Sequence, residues 1–145
     1  FLIQCVVGGA TRAESVKNAF VQLDPCNSVL IHDAARPFLD KDLIDRVIQQ
    51  LPHYDAVVPG IAVTDTIKQV DNDIVKQTLN RSSLRAIQTP QGVNYNIYRE
   101  ALEKVSTGIS DVTDDASLIE MISGKVKIVE GNIEIIKITY QLDIS

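Results

Sequence analysis

The 145-residue chain is 45% apolar and carries 14 Lys and Arg against 19 Asp and Glu, a formal net charge of −5. That length and apolar content suit one domain with a real core, and the acidic balance argues against a nucleic-acid partner, which needs a basic face. Residues 1–7, FLIQCVV, are too few to span a membrane and lack the basic start of a signal peptide. Cys5 and Cys26 fit no metal spacing and no disulfide framework, so a reducing compartment is expected.

The chain begins at Phe1 rather than Met and runs straight into an apolar stretch, which raises the expectation of a piece of a longer polypeptide. FLIQCVV reads as a buried strand. Thr11-Arg12-Ala13-Glu14 has the capping-box form T-x-x-E, and Ala13, Val16, Ala19, Phe20 and Leu23 follow at helical spacing. Residues 28–31, SVLI, form the next strand. Asp40 is placed to cap a helix whose apolar stripe is Leu43, Ile44, Val47, Ile48 and Leu51. Residues 55–63 and 84–89 are extended, the latter stopped by Pro90. Helices are predicted over 94–105 and 113–122, and late strands over 125–131 and 134–139. Apolar strands alternating with amphipathic helices predict a largely parallel sheet covered on both faces.

Residues 64–80, TDTIKQVDNDIVKQTLN, break this alternation. They read as a hairpin turning at Asp71-Asn72-Asp73, too polar for a core. A two-stranded polar ribbon is marginal alone, and a second subunit is a natural support.

Ligands of open α/β sheets bind beyond the carboxyl ends of the strands, where His32, Asp33 and Arg36 fall. Asp33 can hold Mg²⁺ or a ribose hydroxyl, or cap its own loop and pair with Arg36. His32 reads as a residue that packs or hydrogen-bonds locally. Arg36 suits phosphate oxygens, or a surface ion pair. Gly8, Gly9 and Ala10 join a strand to a capped helix, so their N–H groups can meet a base or an anion, or form a tight turn. Thr89 ends a strand, and Thr113 sits in the cap-rich run DVTDDAS. Lys137 is an edge gatekeeper or an ammonium aimed at the site. Arg12 and Arg81 default to solvated surface.

Taken in order, GGATRAESV, HDAARPF, DTIKQV, RSSLRAIQTPQ, TDDASLIE and EGNIEIIKIT resemble the 2-C-methyl-D-erythritol 4-phosphate cytidylyltransferase family over residues 7–139. HDAARP followed by QTPQ is the specific part. The resemblance implies a Rossmann-like α/β nucleotidyltransferase fold in one domain, with residues 64–82 as a protruding β-arm that embraces a second subunit. It implies transfer of a cytidylyl group from CTP to a sugar-alcohol phosphate, with Mg²⁺ or another divalent cation and release of pyrophosphate, in isoprenoid precursor synthesis. The setting would be the bacterial cytoplasm or a plastid.

Carried over by position, Asp33 and Lys137 would be catalytic, with Asp33 also at the metal. Gly8, Gly9, Ala10, Arg12, Ser15 and Ala34 would bind the nucleotide. Arg36, Thr66, Arg81, Thr89 and Thr113 would bind the acceptor, Thr66 and Arg81 completing the partner's site from the arm. The family's N-terminal glycine-rich loop and its Pro-Lys pair have no counterpart here, which implies that the N-terminal part is missing and that this polypeptide alone would be inactive. Two rivals remain: a ribitol-5-phosphate cytidylyltransferase, which usually has valine where Ala35 stands, and a non-catalytic module for nucleotide binding and dimerisation.

Overall fold

The computed structural model describes residues 3–105 and 112–140. In chain order these form α1 (Arg12–Phe20), β1 (Ser28–Ile31), α2 (Lys41–Gln50), β2 (Ala56–Ala62), β3 (Lys68–Asp71) and β4 (Ile74–Thr78). β5 (Arg85–Ile87), β6 (Gln91–Asn94), α3 (Tyr95–Lys104), α4 (Asp115–Met121) and β7 (Val126–Glu130) complete the set.

Each helix starts on a side chain that satisfies otherwise orphaned N–H groups. Thr11 and Glu14 form the expected capping box on α1, and Asp40 accepts from Leu43 N at the start of α2. Asn94 accepts from Asn96 and Ile97 N for α3. The cap of α4 is Asp114, not Thr113, which stands one residue earlier and is exposed.

β2 organises the sheet. β7 runs along one edge of it, parallel, from Ala56↔Val126 to Gly60↔Glu130. The other edge is shared: β6 pairs with Ala56 and Val57, and β5 with Gly60 to Ala62, both antiparallel. β1 pairs antiparallel with β6. The α/β class with both sheet faces covered stands as expected, but the pairing is more mixed than a largely parallel sheet. β1, β2 and β7 point one way, while β5 and β6 oppose them. The cause is a short connection. Residues 88–90 are too few to turn the chain back or to carry a crossover, so β6 continues β5 along the same edge of β2 in the same sense, antiparallel to β2, and takes its place beside β1.

Alternate residues of β2 feed two cores, as the period of a strand demands. Ala56 and Val58 face α1, α3 and α4, where Phe20, Tyr98, Ala101, Leu118 and Ile119 are buried together. Val57 faces α2 through Val47 and Leu51. α2 approaches β6 so closely that a Cβ on Gly92 would lie 2.7 Å from Val47 Cγ1, so glycine is the residue this contact admits.

Two apolar runs do not become strands. Ile3–Val7 has no regular structure and is exposed, Ile3 at 81% and Val7 at 88%; Phe1 and Leu2 lie outside the described residues. Residues 134–139 form a loop with only Ile135 buried. The backbone groups of this loop bond to side chains and to another loop: Ile135 O accepts from Arg36 and Gln88, and Ile138 N donates to Ala35 O.

The hairpin forms as its sequence requires. β3 and β4 pair antiparallel, and Asn72 and Asp73 take φ of 46° and 63°, the left-handed pair of a type I′ turn. This ribbon is a separate two-stranded sheet, exposed on both strands.

Candidate active site

The end of β1 and the loop after it are set by a chain of hydrogen bonds. His32 Nε2 lies 2.9 Å from Arg36 O, and a carbonyl only accepts, so Nε2 carries the proton. In the neutral ring Nδ1 is then the acceptor, facing Thr89 Oγ1 at 3.0 Å. Thr89 Oγ1 in turn accepts from Asp33 N at 3.1 Å, and Arg36 N donates to Asp33 O at 2.9 Å. His32 bonds locally to Arg36, one of the two readings its sequence allowed, and through Thr89 also ties the loop to the segment between β5 and β6.

The Asp33 carboxylate is the centre of a ring of cations. Its Oδ1 accepts from Arg12 Nε at 2.8 Å, and its Oδ2 lies 3.2 Å from Lys137 Nζ and 4.0 Å from Arg36 Nε. Burial alone would raise the Asp33 pKa, but the hydrogen bond and charge of Arg12, then those of Lys137, hold it below its ordinary value. Burial works the other way on Arg36 and lowers its pKa, only partly offset by Asp33. Arg36 Nη1 donates to Ile135 O at 3.0 Å, while Nε is buried with no hydrogen-bond partner among the described residues. A half-buried guanidinium with an unbonded N–H suits an anion.

Lys137 reaches Asp33 because Gln88, 4% exposed, pins the loop that carries it. Gln88 Nε2 donates to Asn132 O and Ile135 O, and its Oε1 accepts from Asn132 N. Gly131 passes so near that a Cβ there would sit 2.4 Å from Gln88 Oε1.

Arg12, Asp33, Arg36, Thr89, Thr113 and Lys137 thus line one cleft of 110 Å³, together with Gln88, Gln91 and Asp114. Other expected site residues lie elsewhere. Gly9 N is bonded to Ser15 Oγ and Ala10 N to Glu14 Oε2, so this turn satisfies its own donors. Gly8, Gly9, Ala10 and Ser15 do not line the cleft, and Ala34 is exposed on the loop between Asp33 and Arg36. Thr66 and Arg81 are exposed at the foot of the hairpin, with Arg81 Nη1 on Thr64 O.

Asp115 carried no sequence signal beyond a cap-rich run, yet it is 2% exposed and accepts from Arg12 Nη2 at 2.8 Å. Burial disfavours the Arg12 charge, but Asp115 and then Asp33 outweigh that and raise its pKa.

Among the described residues no three acidic, His or Cys side chains converge to hold a metal. Asp33, the carboxylate that the resemblance places at a metal, has Oδ1 on Arg12 and Oδ2 beside Lys137, so the described residues form no all-protein cage, and a Mg²⁺ there would have to be carried chiefly by ligand phosphate oxygens.

The model of one protein family, IspD: 2-C-methyl-D-erythritol 4-phosphate cytidylyltransferase, matches residues 2–145. This chain belongs to the IspD family. A 2-C-methyl-D-erythritol 4-phosphate cytidylyltransferase of Prochlorococcus marinus (strain MIT 9515) is 48% identical over 145 residues, 98% of this chain and 65% of that protein. One from Clostridium beijerinckii is 42% identical across 96% of this chain and 62% of its own length. The chain therefore spans just under two thirds of these IspD relatives. The crystal structure of the 4-diphosphocytidyl-2C-methyl-D-erythritol synthase of Anaerococcus prevotii superposes with a TM-score of 0.85 at 37% identity, covering 94% of this chain and 64% of that one. The Francisella tularensis IspD structure gives the same score at 35% identity, over 94% and 66%. The Rossmann-like nucleotidyltransferase fold expected from sequence is the fold of these IspD structures. Among the described residues no helix is long and apolar enough to cross a membrane.

Proposed function

We propose that the protein, at full length, transfers the cytidylyl group of CTP to 2-C-methyl-D-erythritol 4-phosphate and releases pyrophosphate. Membership of the family supports the reaction, and the ring of Arg12, Arg36 and Lys137 around Asp33 is the observation that carries it. An oxygen of the acceptor phosphate attacks the α-phosphorus of CTP. The new P–O bond forms as the bond to the bridging oxygen breaks, and the pair of electrons leaves with pyrophosphate. Two anions must approach each other, so the protein's work is positioning and charge stabilisation.

The residues divide that work. Arg36 and Lys137 meet the acceptor phosphate. Thr113 stands at the cleft mouth for the polyol. Asp33 keeps the three cations from dispersing, and Thr89 fixes Asp33 through its main-chain N–H. Arg12 approaches the nucleotide from the helix side, where the Gly8–Gly9–Ala10 turn, Ser15 and the Ala34 main chain would frame the base and ribose. A divalent cation, when bound, neutralises charge on the triphosphate beside Asp33.

The hairpin is proposed as a dimer arm, with Thr66 and Arg81 reaching the partner's cleft. Its support is Val70, Ile74 and Val75, which are 58%, 70% and 53% exposed on a ribbon that has no core of its own. The bacterial relatives favour a bacterial cytoplasm as its setting.

The test is pyrophosphate release by the full-length protein with CTP and either 2-C-methyl-D-erythritol 4-phosphate or ribitol 5-phosphate. Release with the first acceptor is expected. Release with ribitol 5-phosphate alone replaces the acceptor, and release with neither refutes the proposal.

A further inference from the structure

Asp115 is a carboxylate that the reaction as described does not use, yet it lies behind the cleft with 2% of its surface exposed. Its two oxygens are divided. Oδ2 accepts from Arg12 Nη2 at 2.8 Å, and Oδ1 accepts from the Tyr98 hydroxyl at 3.1 Å. Tyr98 is itself 1% exposed and packs edge-on against Phe20 of α1, with ring centroids 4.9 Å apart. Three helices therefore meet on this one acid: α1 through Arg12, α3 through Tyr98, and α4 through Asp115 itself.

A buried ion pair is a weak source of stability, because desolvation of both charges consumes most of their attraction. What such a pair does supply is geometry. Arg12 is a long side chain that is about one-third exposed, with its guanidinium free to swing unless it is held at both ends. Asp33 takes Nε and Asp115 takes Nη2, which fixes the plane of the fork. Neither carboxylate takes an Nη1 hydrogen, so the clamp leaves that end available.

We propose that Asp115 is a positioning residue for the nucleotide: seated by Tyr98, it holds the Arg12 guanidinium in register with Asp33 so that the uncommitted N–H groups of Arg12 face CTP. This rests on the cytidylyltransferase reading of the cleft. Asp115 touches neither substrate and acts through Arg12.

The experiment is a double-mutant cycle in the full-length protein, read by direct titration with CTP and by turnover. Asp115→Asn removes the charge and keeps the size of the side chain. It is expected to weaken CTP binding and kcat/KM for CTP about tenfold, the order of one lost charged hydrogen bond. The KM for the acceptor should stay within about twofold. Arg12→Ala should weaken CTP binding as well, and adding Asp115→Asn to it should cost nothing further, because Asp115 works through Arg12. Tyr98→Phe, which keeps the packing, should show a smaller loss in the same direction and serves if Asp115→Asn fails to fold. Undiminished CTP binding in folded Asp115→Asn or Tyr98→Phe protein, additive losses in the double variant, or equal losses for CTP and acceptor would each overturn the proposal. An active wild type with an unaffected Asp115→Asn variant overturns this inference alone. A wild type that binds CTP without turning over either acceptor overturns the functional reading, and the cycle in CTP affinity still decides the role of Asp115.

Discussion

Replacing Gln88 by alanine tests whether one buried amide holds Lys137 in the site. The side chain makes three hydrogen bonds, to Asn132 O at 2.8 Å, Ile135 O at 3.2 Å and from Asn132 N at 3.0 Å. Ile135 O keeps a donor after the substitution, because Arg36 Nη1 also bonds to it. Asn132 O likewise keeps Ile135 N–H at 3.1 Å, so only Asn132 N–H is orphaned, a loss of about 1–3 kcal/mol. Urea unfolding of the full-length protein measures this directly. Gln88→Glu should lose more than Gln88→Ala, since a buried carboxylate oxygen would replace the Nε2 donor against the carbonyl oxygens of Asn132 and Ile135. In folded enzyme, kcat should drop for both variants, because the loop ending in the Lys137–Asp33 contact of 3.2 Å is no longer pinned. A Gln88→Ala protein within about 0.5 kcal/mol of wild type would show that the loop is held by other means, and the reasoning would fail.

Three further expectations follow from the same geometry. Leu43→Ala, at a position with 0% exposure, should destabilise the protein by about 3–5 kcal/mol in urea or thermal unfolding, because α2 has little freedom to close the cavity. Asp33 has a depressed folded-state pKa, so the stability it contributes is present above its ordinary value of 3.8 and lost as pH falls through the lower folded value. The gap between wild type and Asp33→Asn in unfolding free energy should therefore be full near neutrality and shrink below about pH 4, and a gap that widens on acidification would contradict the ring of cations. With the hairpin as the proposed dimer arm, Ile74→Lys should leave the circular dichroism unchanged and lower the sedimentation coefficient from that of a dimer to that of a monomer; a wild type that sediments as a monomer, or an unaltered coefficient, would exclude the arm as the interface.

Much of this was readable in the chain itself, and the failures have a common cause. Helices α1 to α3 announce themselves by a polar cap followed by an apolar stripe, and the hairpin by its Asn72-Asp73 turn, because those signals are local. Apolar runs are not local in the same sense. Residues 3–7 and 134–139 carry the composition of buried strands, but a strand also needs a partner edge. The second run instead bonds to Gln88, Arg36 and Ala35. β6 was missed for the opposite reason, since Gln91-Gly92-Val93-Asn94 is short and half polar while its position between two strands is a property of the sheet alone. In the cleft, Asp33, Arg36 and Lys137 come together from segments that the sequence motifs had singled out. Asp115 was hidden among cap residues, and its role exists only because α1 and α3 fold against it.

The insertion of β6 between β1 and β2 also orders events in time. Among the described residues β1 has no sheet partner except β6, and their pairing joins residues 28–31 to residues 91–94. Closing so long a stretch of chain carries an entropy cost that must be met before the contacts it permits can repay it, which slows folding. β2 and β7 meet across a comparable separation, from residue 56 to residue 126. The hairpin and the capped helices can form early from neighbouring residues. The loop bearing Asp33 acquires its anchors on Thr89 and on Lys137 only when both distant closures are complete. The cleft is thus a late product of folding, and its assembly reports that the whole sheet has found its register.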